Sequence, residues 1–142
     1  MKIESNTFPP NYDLILANFP KCEEQKAVFT YGSTIYNPFN VYITPDIEVH
    51  EQTHSERHDN PDIWWHNYIT DRDFRFNEEL LAYAKQYRYA VDQIGSSKLT
   101  DWLLQKCAEA LSSDLYKLGI TYGEAKSKIR NMSKGLANNN MV

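Results

Sequence analysis

Between Asp71 and about Ile94 the apolar positions recur at Phe76, Leu80, Tyr83, Tyr87, Val91 and Ile94. Steps of three and four residues stack side chains on one face of an α-helix, so the stretch predicts one long helix with a single buried stripe, closed by Gly95-Ser96. Two more helices are expected, from Thr100 to about Leu111 and from Thr121 to about Met132. The second opens with a Thr121-x-x-Glu124 capping box. The tail "GLANNNMV", from about residue 135 to residue 142, is polar and biased, and is expected to be flexible.

Upstream the pattern changes. "AVFTYGSTIYNPFNVYIT" is β-branched and aromatic and is broken at Gly32-Ser33 and Asn37-Pro38, which predicts two or three short strands. Before it, "PPNYDLILANF" predicts a short helix capped by Asn11 and stopped by Pro20. After it, Thr44-Pro45 reads as a helix start, because Thr44 can cap and Pro45 suits the first helical position. That helix should carry His50 and His54 and end near "HDNPD". Asn60-Pro61 opens another, bearing Trp64, Trp65 and Tyr68. The class is α+β, a small sheet followed by packed helices. A chain of 142 residues has length for one core, so a single domain spanning 1–142 is expected.

Composition removes several alternatives. Hydrophobic content of 42% and charged content of 24% are those of a globular protein. A net charge of −4 speaks against a nucleic-acid or anionic-membrane surface. The ten tyrosines and "KQYRY" do not change this, since Tyr83 and Tyr87 already belong to the helical stripe. Cys22 and Cys107 form no CxxC pair, which fits neither a disulfide scaffold nor a thiolate zinc site. "MKIESNTFPPN" has no apolar leader, and no run is long enough to span a membrane. A cytoplasmic protein is expected.

Chemistry concentrates in "VHEQTHSERH", which holds three of the four histidines. His50-Glu51-x-x-His54 fits HExxH. Residues four apart on a helix lie about 6 Å apart along its axis and on one face, so two imidazoles can reach one zinc ion. Glu51 sits about 100° round from His50, where its carboxylate faces the water-bearing position rather than the metal. A catalytic zinc needs a third protein ligand. His58 lies about 12 Å along the axis from His50, too far to share an ion, and reads as a solvated residue at the helix end. Glu79 is the better candidate. It lies about 70° from the centre of the Phe76–Tyr87 stripe, where a carboxylate needs a positive partner. Its neighbour Glu78 points to the solvent side. Ala82, one turn on, lets the two helices approach.

An intact HExxH with a Glu about 25 residues later in an E-x-x-A setting resembles the gluzincin metallopeptidases. The small size and the β segment before the motif are similar to the minigluzincins. The run His50-Glu51-x-x-His54-x-x-Arg57, Trp64-Trp65, Tyr68, Phe74-Arg75 and Glu79-x-x-Ala82-Tyr83 further resembles small bacteriophage-encoded proteins. One departure stands out. Gluzincins often place an Asp one position after the small residue to orient a ligand His, and here that position is Tyr83.

The resemblance implies a zinc metallopeptidase with His50, His54 and Glu79 as ligands and Glu51 as general base toward a metal-activated water. An oxyanion donor is also needed. Tyr83 is the first choice, ahead of His66, Tyr68 and Arg57. Arg57 reads rather as a tie between the helix end and a neighbouring acid, and Trp64 and Trp65 as core anchors. The implied partner is a peptide or protein substrate, laid along an edge strand by β-augmentation. The alternative is a non-catalytic phage assembly protein that keeps the fold and meets assembly partners, placed in the host cytoplasm or the virion. A closed structural zinc site is disfavoured, because it has no use for Glu51.

Overall fold

The computed structural model describes residues 1–140, with side chains described through residue 137. The elements in chain order are β1 (Lys2–Ser5), α1 (Tyr12–Asn18), α2 (Lys21–Glu24), β2 (Phe29–Tyr31), β3 (Thr34–Asn37), α3 (Pro45–Glu56), α4 (Pro61–Thr70), α5 (Arg72–Ile94), α6 (Ser97–Leu111) and α7 (Tyr122–Asn140). The class is α+β, as the pattern predicts. Among the described residues no helix is long and apolar enough to cross a membrane.

The sheet has the order β1-β3-β2, with β3 parallel to β1 and antiparallel to β2. Strand β1 has no apolar alternation and is mostly exposed, so its sequence does not announce it; it forms by pairing with the open edge of β3. Gly32 and Ser33 connect β2 to β3, and Gly32 takes φ +63°, a conformation that favours glycine in so tight a hairpin. No third strand follows Pro38. The Asn37 side chain instead bonds both the N–H and the C=O of Val41, at 3.0 and 2.8 Å, and closes a loop where a ladder would otherwise begin.

Helix boundaries follow local chemistry with a few differences. Pro45 stands at the start of α3 after an extended Thr44, but the Thr44 hydroxyl makes no capping bond, and neither does the Asn11 side chain at α1. Asn60 and Asp71 cap α4 and α5 through their side-chain oxygens. Thr121 caps α7 by accepting from the Glu124 N–H at 3.1 Å. That helix runs on through Gly135 to Asn140, where composition suggested a flexible tail. Residues 141 and 142 of the expected tail lie outside the described residues.

Helix α5 is packed on more than one side. Phe76 and Leu80 meet Leu104 and Leu111 of α6 and Ile129 of α7. A second cluster joins Ile15, Phe19, Phe29, Trp64, Trp65 and Tyr68, and the two tryptophans are core residues as expected. Helices α3 and α4 also pack on α5, and α3 lies against β2 as well. This double coverage corrects one expectation. Glu78 does not point to solvent; it is 2% exposed, because the side of α5 opposite the stripe is covered too. The stripe itself ends early, and Ile94 is exposed.

Candidate metal centre

The buried residues of α3 are His50, Glu51, Thr53 and His54, so this helix turns a polar face to the interior. Asp46, His50 and His54 stand four apart on it. Across the seam α5 presents Glu79, Ala82, Tyr83 and Gln86, which share a face by the same spacing. The two helices run antiparallel: His54 meets Glu79, whereas Asp46 and His50 meet Gln86. Ala82 is fully buried and keeps the seam thin.

Three expected ligands converge. His50 Nε2 lies 3.2 Å from Glu79 Oε1, and His54 Nε2 lies 3.2 Å from Glu79 Oε2. One ligand atom from each residue falls within 4.8 Å of the other two. The arrangement fits a cation better than it fits direct pairing. Glu79 Oε1, although close to an imidazole nitrogen, is buried without a hydrogen-bond partner, because the contact is not aligned as a hydrogen bond. Two imidazoles and a carboxylate are also the donor set that zinc takes at open, catalytic sites.

Surrounding groups hold the cluster in place. Tyr68 OH donates to Glu79 Oε2 at 2.7 Å, which occupies that oxygen and leaves Oε1 as the natural ligand atom. Glu51 Oε2 accepts from Thr30 Oγ1 of β2 at 2.7 Å, and the Thr30 carbonyl accepts from Trp65 Nε1 at 3.1 Å. Glu51 is therefore aimed by the sheet and is not part of the ligand triad. It borders two spaces: a cleft of about 310 Å³ shared with His50, Tyr83, Gln86 and Tyr116, and a cavity of about 60 Å³ reaching Phe19, Trp65 and Tyr68.

Other expected participants are placed as follows. Tyr83 lies edge-on to His50, with ring centroids 4.4 Å apart, and its hydroxyl pairs with Tyr116 OH at 2.6 Å rather than with an imidazole. Arg57 bonds Glu78 at 2.5 Å, the structural role its position suggests, and Trp64 Nε1 donates to the other Glu78 oxygen at 2.7 Å. His66 is exposed on α4. His58 lies outside the convergent group, and it is not a solvated helix end either. Its Nδ1 accepts from the Gly32 N–H at 3.1 Å, its ring packs on Trp64, and burial beside His54 lowers its pKa to about 4. With Ser55 Oγ donating to the Gly32 carbonyl at 2.7 Å, it ties the hairpin to the end of α3.

Thr30, Gln86, Asp46 and Tyr116 were not found by motif reading. Gln86 and Asp46 carried a signal, since each falls on the site face of its helix at 3.6-residue spacing. Thr30 and Tyr116 are brought in by tertiary packing alone.

Electrostatics bind the pair formed by His54 and Glu79. Burial favours a neutral imidazole, but the Glu79 carboxylate outweighs it and lifts the His54 pKa to about 9. Burial likewise opposes the carboxylate charge of Glu79, yet the two imidazoles hold its pKa well below the ordinary range. A raised His54 pKa stabilises the metal-free fold fully below its ordinary value of 6.5, and the contribution is lost as pH rises toward about 9. The same proton competes with a metal. Were zinc to bind at these residues, its uptake at pH 7 would release about one proton from His54, and its affinity would rise with pH. Titration calorimetry in two buffers of different ionisation enthalpy measures this; equal heats in both would exclude it.

Compared with protein-family models, with curated proteins and with solved structures, the chain gives no match.

Proposed function

We propose that this protein is a zinc-dependent peptidase of gluzincin type, with His50, His54 and Glu79 as ligands and Glu51 as general base. The observation that carries the reading is the buried convergence of three ligand atoms within 4.8 Å, with a separately anchored carboxylate bordering the adjoining cleft. A merely structural site would close its coordination shell and leave Glu51 without a task. Zinc in such a site supplies a Lewis acid that polarises a carbonyl and acidifies a water.

The chain's own residues perform the rest. Thr30 holds Glu51 through Oε2, leaving Oε1 to take a proton from the attacking water and pass it to the departing amine. Only one hydrogen is used between Tyr83 and Tyr116, so the pair keeps a second O–H to donate toward an oxyanion. Tyr116 borders both the cleft and the smaller cavity. β2 is an edge strand, and the segment leading into it lines both spaces, which suits an extended peptide pairing along it. The two cysteines are free and buried, as a reducing cytoplasm would keep them. A phage origin would place the protein in the host cytoplasm or the virion.

Elemental analysis tests the metal centre. One zinc per chain is expected in the wild type and in Glu78→Gln. None is expected in His50→Ala, His54→Ala or Glu79→Ala. Full zinc in a folded Glu79→Ala protein would remove the third ligand from this reading.

A further inference from the structure

Tyr83, one turn beyond Glu79, lies edge-on to His50, but its hydroxyl is engaged by Tyr116. The imidazole nevertheless has a partner. His50 Nδ1 lies 3.1 Å from Gln86 Oε1, and Gln86 Nε2 donates to Asp46 Oδ2 at 2.8 Å. Gln86 stands seven residues after Glu79, two helical turns on, and so returns to the same face of α5. Asp46 stands one turn before His50, in the first turn of α3, where the helix dipole favours its negative charge.

We propose that Gln86, held by Asp46, is the positioning residue for His50, and that this relay fixes which ring nitrogen of His50 faces the metal. The argument rests on the metal-centre reading above and on donor and acceptor roles. Ionised Asp46 can only accept, so the Gln86 amide must turn its NH₂ toward it. The Gln86 carbonyl oxygen then faces His50, and Nδ1 must carry the hydrogen. A neutral His50 is thereby left with its lone pair on Nε2, 3.2 Å from Glu79 Oε1, an acceptor without a hydrogen-bond partner. Two acceptors held 3.2 Å apart call for a cation between them. His54 differs: its Nδ1 is buried without a hydrogen-bond partner, so its ring is held by packing on Trp64 rather than by a relay.

The relay makes the position of the amide matter, not only its presence. Gln86 is 7% exposed, and removing its carbonyl frees His50 to exchange the Nδ1–H tautomer for the Nε2–H one, which cannot coordinate through Nε2. The acceptor can also be rebuilt with the roles reversed. In D46N/Q86E the new amide donates to the new carboxylate, which in turn accepts from His50 Nδ1–H.

The test reads ring ¹⁵N shifts of His50 in the metal-free protein, at a pH where it is neutral, together with zinc affinity by competition with a chelator. Wild-type His50 should be the Nδ1–H tautomer. Gln86→Leu, similar in volume, should lose that preference and bind zinc about 10–100-fold more weakly. D46N/Q86E should restore the tautomer, with affinity within about threefold of wild type. Nδ1–H retained in Gln86→Leu overturns the proposal, and so does a folded D46N/Q86E protein that fails to restore it. Should Gln86→Leu not fold, the double variant decides alone. A wild type that binds no zinc sinks the peptidase reading, while the tautomer in the metal-free protein still settles the relay.

Discussion

Glu51→Gln is expected to keep the fold and the zinc while lowering peptide hydrolysis by about 10²–10⁴-fold. Gln is nearly isosteric with Glu, and its carbonyl oxygen can still accept from Thr30 Oγ1, the bond that fixes Glu51 in the structure. The amide cannot take up a proton, so the general-base step is lost with no loss of packing. Glu51 is not among the three convergent ligand atoms, so metal content should not change. A broad peptide library, with and without chelator, supplies the assay. Cleavage that survives both the substitution and chelation would come from a contaminant. No cleavage by zinc-loaded wild type would shift the weight to the assembly-protein alternative.

Arg75→Met should damage stability about as much as the loss of a large core side chain. Arg75 is 6% exposed, and its hydrogen bonds go to main-chain carbonyls rather than to a carboxylate. Nη1 donates to Tyr68 O at 2.7 Å, in the last turn of α4, where the helix dipole welcomes a cation. Nε donates to Tyr116 O at 2.8 Å, so one side chain holds both α4 and the segment carrying Tyr116. Arg72 reinforces the same segment through the Leu118 carbonyl. Met keeps the length and the apolar stem and removes every donor. At roughly 1.5–3 kcal/mol for each hydrogen bond to a charged group, the two shorter bonds put the loss at about 3–6 kcal/mol. In a domain of this size that lowers the thermal midpoint by about 10–20 °C. Thermal unfolding of the metal-free protein checks it, and a midpoint within about 2 °C of wild type would show the carbonyls find other partners.

The parts of this molecule that could be read from the chain are those specified locally. The α5 stripe as far as Tyr87, the Asn60 and Thr121 caps and the HExxH spacing each depend on neighbours within a few turns, and each appears where expected. Helical phase also chose Glu79 correctly as the acid beside His50 and His54. It failed for Glu78, since phase reports direction from one stripe and cannot know that Trp64 and Arg57 cover the opposite side. Tyr83 shows the same limit. It lies beside His50, but its hydroxyl partner is 33 residues away, on a segment without regular structure. β1 was hidden because a strand that borrows its stability from β3 needs no apolar alternation of its own. The polar inner face of α3 would defeat any reading by hydrophobicity alone, and only the motif revealed which side faces inward.

That inner face sets stability and activity against each other. His50, His54 and Glu79 occupy volume that leucine or methionine would fill with no desolvation cost, and buried charged clusters are commonly outperformed by apolar replacements. Selection for a sturdier fold alone would therefore erase the seam between α3 and α5 first. On the peptidase reading, the polar seam is kept for its chemistry at the expense of packing. Within any lineage that no longer needed that chemistry, decay should begin at these buried positions and spare the exposed ones.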